Sequence, residues 1–511
     1  MKYLLGIDVG TSGTKVALFD IAGRLIGSAT HEYPLFQPEN GWAEQDPDDW
    51  WRAVVAGISA LTRDYPEPCA DIVGIGVTGQ MHGLVMLDEA GVVIRPAILW
   101  CDGRTIEQCA EITERVGAQK LIDITANPAL PGFTAGKILW VRQHEPANYA
   151  RCRHILLPKD YIRYKLTGVI AADATDASGT NLFDVAKRAW SSEILGILDI
   201  DEALLPPVYE SPEVLGTVTE ASAELTGLTS GIPVVAGAGD NAAAAVGMGV
   251  VKAGRAFTSI GSSGVIFAHS DTVAIDPGGR VHTFCAAAPG TWTVMSCTLA
   301  AGLSLRWYRD TFCQSEIEAA STMDVDPYDL ITQGIRRIQP GADRLIYLPY
   351  LMGERSPLLD SNARGVFFGL STIHTRAHVA RSVMEGITYS LRQCLDVLRD
   401  MDVPCDHMLA CGGGAKSEFW RQMLADMFSI PVAVPINDEG PAFGAALLAG
   451  VGAGVYASVE DACERTVKVS DTIASDPAMG AVYEPYYRLF TQLYPVLADQ
   501  FAELAALDER S

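Results

Sequence analysis

A short glycine- and hydroxyl-rich turn between two apolar, β-type runs occurs twice in this chain. Leu4-Leu5-Gly6-Ile7 leads into Gly10-Thr11-Ser12-Gly13, and Lys15 to Phe19 leads out of it. Phe257-Thr258-Ser259-Ile260 leads into Gly261-Ser262-Ser263-Gly264, and Val265-Ile266-Phe267 follows. Each block reads as a hairpin. Such turns also recur by chance, but the repetition of strand, turn and strand points to two related halves. We place the division near Gly247, giving an N-terminal lobe over 1–246 and a C-terminal lobe with a terminal helix over 247–511.

The elements between the hairpins alternate. Asp46-Pro47-Asp48-Asp49 is a helix start, with a capping Asp, Pro at the first helical position and acidic residues in the first turn, and the helix is expected to run to about Arg63. Ile72 to Thr78 and Ile232 to Ala236 read as strands, and an Ala-rich helix is expected from Asp240-Asn241 to about Val250. Met408 to Cys411 reads as a strand, Gly412-Gly413-Gly414 as a loop and Ala415 to Phe428 as a helix; Asp438 to Phe443 repeats the loop-to-helix pattern. The fold class expected is therefore α/β.

Composition narrows the partners. The 38 Lys and Arg stand against 62 Asp and Glu, a net charge of −24 that repels polyphosphate backbones, so nucleic acid is not expected as a partner. Polybasic runs of the kind that hold anionic membranes are missing. The 11 cysteines are scattered without a C-x-x-C, so reduced thiols and a cytoplasmic chain without a secretory leader are expected. Gly440 to Val459 carries no charge over 20 residues, but Phe443, Leu447 and Val451 fall at i, i+4 and i+8, the stripe of a helix packed on one side in a globular core.

Glycine turns let backbone N–H groups approach phosphate oxygens, and Ser or Thr hydroxyls add donors. Neither the Walker pattern nor a G-x-G-x-x-G after a strand is present, so two phosphate hairpins in duplicated halves fit another nucleotide fold. Asp8, entering the first hairpin, reads either as a turn residue or as a carboxylate for Mg²⁺. Asp240, after Gly237-Ala238-Gly239, reads either as a helix N-cap or as a base held above a strand end. Met81-His82, between glycines, reads either as packing or as a ligand contact. No H-E-x-x-H or Cys/His spacing for zinc occurs.

Taken together, Ile7 to Gly13, Gly79-Gln80-Met81-His82-Gly83 and Gly239-Asp240-Asn241-Ala242-Ala243 resemble the FGGY carbohydrate kinases, as do Phe133 to Trp140, Gly365 to Leu370 and His378 to Glu385. The resemblance runs nearly end to end. It implies an actin-like (ribonuclease H-like) ATPase fold, ATP and Mg²⁺ in a cleft between two lobes, and transfer of the γ-phosphate to the terminal hydroxyl of D-xylulose. It also implies Asp240 as general base, Asp8 as the magnesium carboxylate, and Met81, His82, Asp240 and Asn241 as sugar contacts. ATP would be held by Gly10, Thr11, Ser12, Lys15, Gly261, Ser262, Ser263, Gly302, Gly412 and Gly413. Cys101 departs from the Asn common among such kinases. Ribulose, gluconate or glycerol as the acceptor, and a non-kinase actin-like ATPase or sugar sensor, are the alternatives. A homodimer is among the assemblies the reading admits.

Overall fold

A computed structural model of the chain describes residues 1–436, 439–470 and 472–507. These form two compact units that interleave along the sequence. Unit 1 comprises 1–252, 269–293 and 437–468, and unit 2 comprises 253–268, 294–436 and 469–511. The single cut expected after residue 246 is thus a cut along the sequence; in space two later segments return to the first unit.

In unit 1, β1 (Tyr3–Val9), β2 (Gly13–Asp20) and β3 (Leu25–Glu32) form the expected antiparallel meander. Helix α1 (Pro47–Asp64) starts as its sequence dictates, with the Asp46 carboxylate accepting from Asp48 N at 3.0 Å and Pro47 at the first turn. The chain then adds β4 (Ile72–Gly79) parallel to β1. Helices α2 (Thr134–His144), α3 (Pro158–Thr167) and α4 (Ala174–Ala177) precede β5 (Val214–Thr217) and β6 (Pro233–Val235). Next come β7 (Ala238–Gly239), paired with β4, and α5 (Asp240–Gly247), which stops short of the expected Val250. The sheet has seven strands in the order β5-β6-β4-β1-β2-β3, with β7 off this path.

Unit 2 repeats the plan. The antiparallel hairpin β8 (Gly254–Ile260) and β9 (Gly264–Ser270) is flanked by β10 (Trp292–Thr298), followed by α6 (Gly302–Phe312) and the long α7 (Arg376–Asp400). Strand β11 (Cys405–Cys411) runs parallel to β8. Helix α8 (Glu418–Phe428) begins three residues later than Ala415, because residues 413–416 form a tight 3₁₀ turn and Ser417 caps the helix by accepting from Trp420 N at 3.3 Å. With β12 (Val432–Ala433) parallel to β11, five strands of this six-stranded sheet run in the order β10-β9-β8-β11-β12. Side by side, β3-β2-β1-β4-β6 and β10-β9-β8-β11-β12 follow the same sequence of neighbours.

Helix α9 (Gly440–Gly452) belongs to unit 1, and the long α10 (Pro477–Ala506) to unit 2. The one-sided stripe expected for α9 is corrected by the structure: Ala442 to Gly450 are all buried, with β1 and β4 on one side and α5 on the other. The sheet is bare where α9 crosses it. A Cβ on Gly6 would meet the carbonyl of Ala442, and one on Gly76 that of Ala445. Gly247 has a similar packing role, since a Cβ there would run into the Gly440 carbonyl. Asp438, in the expected loop before α9, lies outside the described residues. No described helix is long and apolar enough to cross a membrane, and the 11 cysteines are all free thiols.

Candidate active site

Unit 1 gathers most of the carboxylate chemistry. Asp8 sits near the end of β1, in register with Lys15 on β2 and Thr78 on β4. Its Oδ1 is buried and has no hydrogen-bond partner. Burial and the nearby charge of Asp240 push its carboxyl up to about 7, against a smaller lowering by Lys15. The Lys15 ammonium is ion-paired with Glu439.

Asp240 is the first residue of α5, and the capping position is held by Gly239. Of the two local readings, the N-cap is the one the structure excludes. The Asp240 Oδ1 accepts from Asn241 N at 2.7 Å and from Asn241 Nδ2 at 3.1 Å. Burial raises its carboxyl to about 6, opposed by the bond from the Asn241 amide. The charge of Asp240 thus opposes ionisation of Asp8, whereas burial is what raises Asp240 itself.

Met81 and His82 follow β4 as expected. Met81 is buried, with its sulfur 3.9 Å from Asn241 Nδ2, and a Cβ on Gly239 would press on it. His82 adopts a left-handed backbone with φ of 66°, unusual for a residue with a Cβ. Its Nδ1 lies 2.6 Å from Gly179 O, and its carbonyl accepts from Lys137 Nζ at 2.8 Å and Thr134 Oγ1 at 3.1 Å. The ring packs on Phe133, with centroids 4.5 Å apart, and on Phe284. Lys137 is fully buried, and desolvation lowers its ammonium to about 7.

The first hairpin is tied down by side chains. Gly10 N donates to Gly13 O at 3.0 Å, and the Tyr33 hydroxyl donates to Gly10 O. Thr11 is held through its carbonyl by Gln45 Nε2 at 2.7 Å and through its hydroxyl by Trp100 Nε1 at 3.0 Å. Ser12 is exposed at the tip. Cys101 is exposed on a loop braced by Asp102, which accepts from Ala43 N at 2.6 Å and Arg104 Nε at 2.9 Å.

Unit 2 contains a separate cavity of about 330 Å³. Gly261, Ser262, Gly302 and Gly413 line it, with apolar walls from Leu305, Met384 and Trp420 and polar groups from Tyr328, Asp329 and Thr332. Gly302 N donates to Gly261 O at 2.8 Å, a closeness a Cβ on Gly302 would prevent. Gly412, at φ 79°, makes the turn that presents Gly413, while Ser263 closes the second hairpin by accepting from Gly261 N at 3.0 Å. Gly412 and Ser263 themselves do not line the cavity. Its size and its mix of apolar wall and glycine rim suit a flat heteroaromatic ring joined to an anionic tail.

Sequence reasoning missed several residues that these side chains touch. Phe133, Thr134 and Lys137 lay inside a block read only for its family likeness, and Thr175, Gly179 and Phe284 carried no local signal. Glu439 lies within the expected loop-to-helix segment Asp438 to Phe443 but was not singled out.

Comparison with known proteins gives the family. The model of the FGGY family of carbohydrate kinases, N-terminal domain, matches residues 3–247, and that of the C-terminal domain matches residues 256–453. The chain belongs to this family. It is similar to the xylulose kinase of Bacillus subtilis, at 38% identity over 97% of each chain. It is also similar to the gluconokinase of that organism, at 31% identity over 99% of this chain and 98% of the other. Among solved structures, that of a xylulose kinase from Brucella ovis superposes with a TM-score of 0.90 at 36% identity, covering 98% of this chain and 100% of that one. The fold is the actin-like one of sugar kinases, and ATP is the phosphoryl donor that membership in this family implies.

Proposed function

We propose that this chain phosphorylates D-xylulose at its terminal hydroxyl with ATP, giving D-xylulose 5-phosphate in pentose catabolism in the cytoplasm. The observation that carries the reading is the Asp240 carboxyl, raised to about 6 and held by Asn241, whose amide meets the Met81 sulfur, in a chain of 38% identity to a xylulose kinase. A base of that acidity is ionised at neutral pH and still basic enough to accept a hydroxyl proton late in phosphoryl transfer.

In this reading Asp240 orients the acceptor hydroxyl and takes its proton, Asn241 holds Asp240, and Met81 and His82 shape the sugar pocket. Gly10, Thr11 and Ser12 on one hairpin and Gly261, Ser262 and Ser263 on the other offer donors to the phosphates, and Lys15 keeps a cation beside Asp8. Gly302, Gly412 and Gly413 leave room for adenosine. The orphaned Asp8 Oδ1 fits a hard divalent cation, and Mg²⁺ would neutralise charge on the phosphates there. No cluster of three or more His, Cys, Asp or Glu able to hold a metal occurs among the described residues, so such an ion would keep most of its water and phosphate ligands.

The 31% identity to a gluconokinase gives a second reading, an aldonate as acceptor. ADP release measured with a panel of pentuloses, polyols and aldonates separates the two. The highest kcat/KM is expected with D-xylulose; preference for gluconate would overturn the assignment of the acceptor, and no sugar-dependent ADP release would overturn the kinase itself.

A further inference from the structure

Behind Asp240 lies a group of charged side chains that the proposed reaction does not use. Lys159, Asp160 and Arg163 on α3 meet Asp173 and Asp176 around α4, and all five side chains are fully buried. Lys159 Nζ is 2.5 Å from Asp160 Oδ1, 2.6 Å from Asp173 Oδ1 and 3.7 Å from Asp176 Oδ2. As a stabilising device this is poor. Desolvating such ions costs about as much as their attraction returns, and Asp160 Oδ2, Arg163 Nε and both Asp176 oxygens have no hydrogen-bond partner.

The cluster does reach the segment that carries Asp240. Asp173 Oδ2 accepts from Thr175 N at 2.8 Å, from Thr175 Oγ1 at 2.5 Å and from Ser211 Oγ at 3.2 Å. With its proton committed to Asp173, the Thr175 oxygen is free to accept, and it does so from Gly239 N at 2.9 Å. Gly239 is the cap of α5, immediately before Asp240. Two more contacts fix the same approach: Arg163 NH1 donates to Ala236 O at 2.9 Å, and Gly237 N donates to Ser211 O at 3.0 Å.

We propose that Thr175, oriented by Asp173 and Lys159, is the positioning residue for Asp240, holding the start of α5 so that the carboxylate points at the acceptor hydroxyl. The inference rests on the reading of Asp240 as the base. Burial holds the Asp176 carboxyl well above the usual carboxylate range, opposed by the Lys159 ammonium and reinforced by the charges of Asp160, Asp173 and Asp240. The brace needs a hydroxyl in this place because only a group that donates and accepts at once links a carboxylate to an amide.

Thr175→Val keeps the shape and removes the hydroxyl; Thr175→Ser keeps the hydroxyl. In steady-state assays with D-xylulose and ATP, Thr175→Val should lower kcat about 10- to 100-fold with both KM values within about threefold, and Thr175→Ser should recover most of the lost kcat. Equal kcat in the two variants, or a loss confined to KM, overturns the proposal. If Thr175→Val does not fold, Ser211→Ala reads the same brace: a kcat lowered about two- to fivefold supports it and an unchanged kcat overturns it. Asp240→Asn in the same assays separates the two claims, since turnover retained there overturns the base itself, whereas turnover lost there but kept in Thr175→Val overturns only the brace.

Discussion

The two hairpins share a frame and a glycine-and-hydroxyl turn, and differ in the strand residues that flank it. Counted back from the turn glycines Gly10 and Gly261, Asp8 on β1 corresponds to Ser259 on β8, and Gly6 corresponds to Phe257. Counted forward, Lys15 corresponds to Ile266. In unit 1 the strand is stripped at Gly6 so that the backbone of α9 can lie against it, and Asp8 and Lys15 stand in register beside the turn. In unit 2 the same place is filled by Phe257, stacked on Phe267 at 4.7 Å, and the glycine turn opens on a cavity. Equivalent places beside the two turns thus carry different groups, ionisable ones in the first copy and an aromatic pair in the second. The strand order carries the duplication and a few side chains carry the division of labour.

This contrast makes a ranked set of expectations. The largest effect belongs to unit 1: Asp240→Asn should lower kcat by about 10²–10⁴-fold while leaving nucleotide affinity within a few fold, measured by coupled ADP release and calorimetric titration. Asp8→Ser, which gives β1 the residue found in β8, should lower kcat by about 10²-fold with the fold intact by circular dichroism. If unit 2 supplies shape alone, Gly261→Val should raise KM for ATP about tenfold with little change in kcat, because a Cβ there meets only the Ser263 carbonyl at an ordinary contact distance of 3.8 Å and obstructs mainly a ligand. A drop in kcat as large as that of Asp8→Ser would erase the distinction between the hairpins.

Acidity tests the contrast more finely. The base must be ionised, so kcat/KM for the sugar should fall about tenfold per unit as pH drops through about 6, the value to which burial raises Asp240. Thr175→Val should keep this limb, since it alters direction rather than charge. The smallest effect is on stability. The folded carboxyl at about 6 stands above its usual 3.8, so its contribution is full below the latter and lost as pH rises through the former. Asp240→Asn should therefore raise Tm at pH 8 by about 2–4 °C, with the gap shrinking toward pH 4, as read by calorimetry. A lowered Tm at pH 8 would mean that Asn241 stabilises the carboxylate more than burial penalises it.

Much of the frame was legible because turns and caps are local. Asp46-Pro47 set the start of α1, and the glycine turns set both hairpins. Asp8, Met81, His82 and Asp240 were singled out from strand ends and helix starts, places where side chains project from a sheet. Local pattern failed where two close signals competed. Ser417 overrode the continuous helix expected from Ala415, and Gly239 took the cap that Asp240 was equally suited to fill. It failed altogether for partners set by tertiary packing. Thr175 and Ser211 are ordinary residues in sequence, and only the path of the chain brings their oxygens to Gly239 and Asp173. The stripe on α9 misled for a related reason: Ala and Gly, silent in a periodicity count, are what let backbone meet backbone on its other sides.

Helix α9 has a consequence for the order in which the protein is made. Strands β1 and β4 leave the ribosome early, yet the helix that covers their bare glycines is encoded after most of unit 2. Throughout synthesis of the intervening residues one face of the first sheet has no lid, and the first unit cannot finish folding until the last portion of the chain emerges. The earliest part of the polypeptide thus waits longest for its native neighbours, and a message cut short before residue 440 would yield a protein with its oldest surface still uncovered.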